Sequence, residues 1–358
     1  MSQFEFPSTP AELSPERLTV YLQESGAIAD RVNVRDVDYS LIGHGKMGAN
    51  ARLRLSYSGP AQGAPATIVG KFPAEDARAR EMAGAQGAYY KEVMFYRELA
   101  PATPMKTPRI YASELSDDRK GFLLLMEDIS DASAGNNLEG ASREHTTLAA
   151  REAAKLAASF YGDETLGGRD YVMSPAREDG GAMAQALMEQ CWPGFVDRFQ
   201  AALSAEAREF GEDYIGRHTI FATRYTGPKT LIHGDFRSEN ILFGVDTATA
   251  VDWQTASESS PLADLAYFMG GSVETGDRRQ WEREMVAYFR GVLADHGLEL
   301  PESDCWDQYR EYSMHGLMIM ILGASFSSPD PRADAMFSAM IRRHVQHCLD
   351  LGAGEFLG

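Results

Sequence analysis

Residues 231–253 read LIHGDFRSENILFGVDTATAVDW. Two apolar runs, LIH and ILF, bracket a polar segment that holds a histidine, two acids, an arginine and an asparagine, and a third run, AVDW, delivers another aspartate. Short apolar runs between turn residues read as buried strands. Asp235, Asn240 and Asp252 are therefore expected where short strands end.

Upstream of this stretch the chain has a different periodicity. From Val37 to about Asp128 apolar and polar residues alternate, as in ARLRLSYS, where Leu53, Leu55 and Tyr57 share one face and Arg52, Arg54 and Ser56 the other. That is the pattern of a half-buried antiparallel sheet. The turn cluster SGPAQGAP is followed by the strand ATIVGKF; AQGAYYKEVMFYREL then carries Tyr89, Val93, Tyr96 and Leu99 at helical spacing. PRIYASEL and KGFLLLMED read as two further strands joined by the charged turn SDDRK. The predicted order is three strands, one helix and two strands.

Past Asp128 the pattern becomes helical. SREHTTLAAREAAKLAASFYG is alanine-rich and amphipathic, and FVDRFQAALSAEAREFGEDYIGRH continues in that manner. With 358 residues, the chain fits one large or two modest domains. The expected class is α+β, with residues 1–128 forming a small sheet-rich lobe and 129–358 a larger, mainly helical one, the linker lying near MEDISDAS.

Composition narrows the partners. The 34 basic and 52 acidic residues give a net charge of -18, which repels phosphate backbones and anionic lipid. Neither nucleic acid nor a membrane surface is an expected partner. The longest apolar run, GLMIMILGASF, is too short to span a bilayer. The amino-terminal MSQFEFPSTPAELSPERLTVYLQ has early acids and lacks the basic-then-apolar order of a signal peptide. Cys191, Cys305 and Cys348 are far apart and in no C-x-x-C pairing, and metal binding by His344, His347 and Cys348 is the weaker reading. A reduced cytoplasmic setting is expected.

GHGKMG places Gly43, Gly45 and Gly48 in a G-x-G-x-x-G array, a weak signal by itself that equally describes a hairpin turn. Here the array is followed by an alternating strand, not a helix, and a glycine loop between two strands can cover nucleotide phosphates with backbone N–H groups. Lys71 stands at a strand end where an apolar residue is expected, which makes it a candidate phosphate contact. A buried lysine needs a carboxylate, because an unpaired internal charge is costly. Glu92, flanked by Tyr89, Val93 and Tyr96, is the candidate; Glu98 is its rival, and a local pair with Lys91 or Arg97 is the ordinary alternative.

An aspartate at a strand end, an asparagine five residues on and a second aspartate beyond the next strand match the catalytic and metal loops of kinases. Phosphoryl transfer needs a carboxylate to orient an attacking hydroxyl and accept its proton, the task Asp235 suits. It also needs hard oxygen ligands for Mg²⁺, which Asn240 and Asp252 supply. Each residue has an ordinary alternative: His233 a hydrogen-bonded core histidine, Asp235 a turn former, Asn240 a loop cap and Asp252 a strand-end acid. Their joint spacing, downstream of a glycine loop, Lys71 and Glu92 in that order, favours the chemistry.

HGDFRSENILF, VDWQ and DLAYF resemble the aminoglycoside phosphotransferase and choline kinase group of small-molecule kinases, especially its ecdysteroid kinase-like branch. KEVMFYREL and FLLLMEDIS are similar to that group's first-lobe helix and inter-lobe hinge. The resemblance runs from about Ile42 to Phe268. It implies a protein-kinase-like two-lobe fold with ATP between the lobes and the adenine held by backbone groups near Glu127 and Ile129. It also implies that Lys71, fixed by Glu92, touches the α- and β-phosphates, that Asp235 is the base, and that Asn240 and Asp252 are the magnesium ligands.

Arg237 stands where protein kinases usually carry a lysine and is a candidate for stabilising transferred charge; a surface pair with Glu239 is the alternative. Asp264 resembles an acid that braces the catalytic loop, the alternative being a first-turn carboxylate of a helix begun by Ser260 and Pro261. Trp253 and Gln254 replace the phenylalanine and glycine of protein kinases, which argues against a flip of that loop. TASESSP runs straight into the next helix, so a peptide has little platform. The expected activity is transfer of a phosphate from ATP to a small-molecule hydroxyl on an aminoglycoside-, sterol- or amino-alcohol-like acceptor. The alternative is a catalytically silent nucleotide-binding scaffold, which the retention of Lys71, Asp235, Asn240 and Asp252 disfavours. QCWPGFVDRF and MHGLMIMILGASF are candidates to line a greasy acceptor cleft and, equally, ordinary core.

Overall fold

The computed structural model describes residues 6–43, 48–174 and 179–358. The chain divides into two compact units, one of residues 1–102, 107–131 and 252–255, the other of residues 103–106, 132–251 and 256–358.

The first unit opens with helix α1 (Pro15–Glu24). Ser14 caps it by accepting the Arg17 N–H at 3.3 Å, and Pro15 suits its first turn. Leu18 and Leu22, four residues apart, share one face and are fully buried, each burial stabilising by about 2 kcal/mol. They pack on a sheet of β1 (Asn33–Ile42), β2 (Gly48–Ser58), β3 (Thr67–Pro73), β4 (Ile110–Leu115) and β5 (Phe122–Glu127). The strands are antiparallel in the order β1-β2-β3-β5-β4. Leu53, Leu55 and Tyr57 belong to the core side of β2, as their alternation predicts.

Between β3 and β4 lie α2 (Ala77–Ala85), a helix the sequence reading lacks, and α3 (Ala88–Met94) with a wider π turn over Phe95–Leu99, which together take up the helix expected over residues 85–99. The break comes where Gly87 takes a φ of 67°, which a helix interior does not allow. Helix α1 is a further departure: the order read from the sequence began at the first strand.

The second unit contains strand β6 (Ser133–Ala134) and helices α4 (Arg143–Phe160), α5 (Gly180–Arg198), α6 (Ala205–Gly216) and α7 (His218–Arg224). Four short strands follow, β7 (Thr230–Ile232), β8 (Ile241–Phe243), β9 (Ala248–Ala250) and β10 (Ser257–Ser259). The remainder is α8 (Ala263–Ser272), α9 (Thr275–Asp295), α10 (Glu302–Tyr312), α11 (His315–Phe326) and α12 (Pro331–Asp350). LIH and ILF do form strands, β7 pairing with β10 and β8 with β6 and β9. Every residue of α8 is buried, as befits a helix apolar on all sides, and α4, α9, α10, α11 and α12 pack around it.

The apolar stretches of α5 and α11 meet in this helical core. Trp192, Phe195, Leu203, Leu317, Met320 and Ile321 surround a void of about 10 Å³, room for roughly one water. They form packed core in this structure. Among the described residues no helix is long and apolar enough to cross a membrane.

One core acid predicts a pH effect. Glu311 of α10 is buried, its Oε1 lacks a partner, and Arg224 Nε stands 3.9 Å from Oε2. Burial pushes its carboxyl up to about 7, with Arg224 opposing the shift. A carboxyl raised by folding adds stability that is whole below its unfolded value and lost as pH rises through its folded value. Glu311→Gln is therefore expected to change little near pH 4 and to stabilise by about 2 kcal/mol at pH 8. Urea melts at the two pH values check this; equal differences at both would count against it.

Candidate active site

The first unit assembles a lysine and two acids. Alternation along β3 puts Ile68 and Phe72 in the core cluster with α1 and Lys71 on the opposite face. Lys71 Nζ lies 2.7 Å from Glu92 Oε2 and 2.8 Å from Asp252 Oδ1. Glu92, on α3, is 1 % exposed; Glu98, its rival, lies on the exposed side of the π turn. Burial disfavours the Lys71 charge, and the carboxylates of Asp252 and Glu92 outweigh it, so the ammonium is held above its ordinary range. Burial pushes Glu92 up, Lys71 pulls it down and Asp252 pushes it up again.

The departures at Trp253 and Gln254 hold this cluster. Trp253 is fully buried and stacks on Phe95, ring centroids 3.6 Å apart at 7°. Gln254 Nε2 donates to Glu92 Oε2 at 3.2 Å. Between them and β9 the backbone turns sharply, with Asp252 at a φ of 69°, a conformation that costs a non-glycine residue about 1 kcal/mol or more.

Of the glycine array, Gly43 and Gly48 bracket the β1–β2 connection, and Gly45 lies outside the described residues. Gly43 has a φ of 72°, and a Cβ on Gly48 would come within 2.8 Å of the Phe72 carbonyl oxygen, so both positions demand glycine. Glu127 ends β5, with its N–H donated to Arg109 O at 2.8 Å. Ile129 follows it, half-buried. Asp128 between them accepts Arg52 Nε at 2.7 Å and Nη2 at 3.0 Å.

In the second unit β7 delivers residues 233–240 into a tightly braced loop. Asp264 of α8 accepts the His233 N–H at 2.7 Å and the Gly234 N–H at 3.1 Å, one on each carboxylate oxygen. This acid caps the loop, and α8 begins at Ala263, not at Ser260. Burial raises the Asp264 carboxyl, and His233 and the two N–H bonds oppose the rise. His233 Nε2 meets Val251 O at 3.0 Å while Nδ1 accepts the Asp235 N–H at 3.3 Å. Those partners assign the proton to Nε2.

Three groups converge on the Asp235 carboxylate. Tyr267 donates to Oδ1 at 2.7 Å; Asn240 Nδ2 and Arg237 Nε donate to Oδ2 at 3.0 and 3.2 Å. Arg237 also donates to Glu239 at 2.6 Å, the partner expected from the sequence; its contact with Asp235 is an addition to that reading. Its side chain is only 20 % exposed, so this is not a surface pair. Burial disfavours its charge, and Asp235, foremost among its neighbours, raises it again. Val251 N–H donates to Asn240 O at 3.0 Å across the β8–β9 hairpin, and Asp252 is the next residue of the chain.

The model of the ecdysteroid kinase-like family matches residues 47–301, well over half of the chain. The protein belongs to the ecdysteroid kinase-like family. Solved structures share its fold: choline kinase from Cryptosporidium parvum Iowa II, at 11% identity, covers 93% of this chain and 94% of its own with a TM-score of 0.54. The GDP and kanamycin complex of APH(2")-IIIa, at 14% identity, covers 93% and 98% with a TM-score of 0.52. The sequence matches no curated protein. This family member has the α+β, kinase-like fold of small-molecule phosphotransferases, a sheet-rich lobe and a helical lobe.

Sequence reasoning missed Tyr267, Asp128, Gln254 and His315, whose Nε2 meets Gly234 O at 3.2 Å. Tyr267 had a signal: it follows Asp264 by three residues, so both stand on one face of α8. His315 had none, lying far along the chain from the loop it touches.

Proposed function

We propose that this ecdysteroid kinase-like protein is an ATP- and Mg²⁺-dependent phosphotransferase acting on a hydroxyl of a small molecule. The observation that carries this reading is the 233–240 loop, where a carboxylate with 24 % of its side chain exposed is oriented by Asn240, Arg237 and Tyr267. Such a group is placed to take a proton from an alcohol.

The donor chemistry fits a magnesium nucleotide. Asp252 offers a carboxylate, 43 % exposed, and Asn240, whose amide nitrogen is bound to Asp235, offers its carboxamide oxygen; both are hard oxygen donors. Bound there, the metal would neutralise phosphate charge during transfer. Lys71 would hold the nucleotide phosphates, with Glu92 keeping it charged and in place. Gly43, Gly45 and Gly48 would bring backbone N–H groups to the phosphates. Because the Glu127 N–H is used by Arg109, the nucleobase contact near Glu127 and Ile129 falls to other backbone groups of that segment.

In the reaction the acceptor oxygen forms a bond to the γ-phosphorus as the bond to the bridging oxygen of ADP breaks. Asp235 receives the hydroxyl proton and later returns it to solvent. Arg237 would stabilise charge on the transferring group. His233 and Asp264 would hold the loop.

The residues between Asp252 and α8, 253–262, contain only the short strand β10, which favours a small acceptor over a peptide. Calorimetry with ATP and Mg²⁺ on the wild type and Asp252→Ala tests the nucleotide site, and release of ADP with hydroxylated compounds tests transfer. The expected result is magnesium-dependent binding weakened at least tenfold by the substitution. No binding by the wild type would overturn the proposal. Binding without ADP release for any acceptor would favour a scaffold.

A further inference from the structure

Tyr267 is fully buried, yet its hydroxyl reaches a carboxylate that is partly open to solvent. Its ring lies flat on His344 of α12, centroids 5.1 Å apart at 16°, and meets the edge of His315 at 5.7 Å and 78°. His344 is itself fully buried, and neither of its ring nitrogens has a hydrogen-bond partner. Burial pushes it down to about 3, so it is neutral. A buried polar ring without partners is disfavoured, and such exceptions call for an explanation.

The surroundings are shaped for that ring. A Cβ on Gly270 or Gly271 of α8 would fall 2.6 Å from a nitrogen of His344, and one on Gly316 of α11 would fall 2.1 Å from it. Three glycines from two helices therefore leave a flat slot that only a planar side chain fills. Core packing alone would be served by an aliphatic residue without unsatisfied nitrogens. The slot makes sense as a support for the Tyr267 ring.

We infer that Tyr267 is a positioning residue for Asp235, held in place by the His344 ring seated in the Gly270, Gly271 and Gly316 slot. This rests on the phosphotransferase reading for its catalytic consequence. Asn240 and Arg237 occupy Oδ2, and Tyr267 occupies one of the two lone-pair directions of Oδ1. The second lone pair of Oδ1 is then the one presented to the acceptor hydroxyl, and Oδ1 takes the proton. Asp235 further feels Arg237 with its partner Glu239, His233 on its N–H, and Asp264 and His315 behind the loop.

Tyr267→Phe removes only the hydroxyl and keeps the stack. In the full-length protein it is expected to lower kcat about tenfold with the KM for ATP unchanged. Loss of a merely structural tyrosine would change the KM for ATP together with kcat. A readout independent of turnover separates this inference from the kinase reading: the resonance of the Asp235 carboxyl carbon at a fixed neutral pH, followed by NMR in protein labelled at aspartate and assigned by its loss in Asp235→Asn. Loss of the hydrogen bond is expected to move that resonance in Tyr267→Phe, and in the same direction in His344→Leu, where the ring loses its support. An unmoved resonance in Tyr267→Phe overturns the inference even in an active enzyme. A moved resonance in a protein that releases no ADP upholds the contact and overturns only the kinase reading.

Discussion

Asp235→Asn is expected to lower turnover by about 10³-fold while leaving the affinity for ATP with magnesium within a factor of about three. General-base catalysis by a placed side chain contributes about 10²–10⁴ in rate, and the amide has the carboxylate's shape without its basicity. Two effects must be separated. The new amide can keep its oxygen toward Asn240 Nδ2 and Arg237 Nε, which donate to Oδ2 at 3.0 and 3.2 Å, and turn its nitrogen to the Tyr267 hydroxyl, which must then accept where it donated. Arg237 keeps Glu239, so the stability loss should be about 1 kcal/mol. Single-turnover ADP release beside a thermal melt measures both quantities. Turnover within tenfold of the wild type would remove Asp235 as the base and, with it, the proposed mechanism.

The second large effect is on the fold. Lys71→Met keeps most of the volume of the side chain but leaves Glu92, 1 % exposed, beside Asp252 without the ammonium that joins them. Breaking a buried pair by removing one partner costs about 3–5 kcal/mol. The pH dependence has a definite sign. Burial and Asp252 push Glu92 up while Lys71 pulls it down, so the variant keeps the upward pushes and loses the larger downward pull, with only the Gln254 hydrogen bond still opposing them. A carboxyl raised in the folded state contributes stability that is whole below its unfolded value and lost as pH rises through its folded value. The variant should therefore be nearest to wild type in mild acid and fall further behind toward neutrality. In the wild type Lys71 is itself raised, so its own contribution is intact through neutral pH and fades only in strong alkali. Denaturant melts at several pH values check the pattern, and a deficit that is small and flat with pH would show that Lys71 does not stabilise the fold through Glu92. ATP binding should also weaken at least tenfold.

Much of this arrangement is legible in one dimension, because strand and helix periodicities are local. The alternation in ARLRLSYS assigns the core face of β2 without any knowledge of its neighbours. Lys71 is conspicuous for being charged in a strand, and Glu92 for being acidic among apolar neighbours on a helix. The spacing of Asp235, Asn240 and Asp252 carries the kinase-like resemblance. By contrast β6 and β10, two and three residues long, are too short for any period to register; pairing alone makes them strands.

The sequence by itself determined the class of fold, the succession of the first five strands along the chain and the residue types of the proposed site, since each follows from local pattern or local spacing. Tertiary structure decided which groups surround Asp235 and why they stay there. Tyr267, His315 and His344 come from three helices, and glycines from two of those helices open the slot between them. Contacts of that kind depend on side-chain shapes meeting across the core, where packing is dense and a single Cβ decides whether a ring fits. No periodicity along the chain records them.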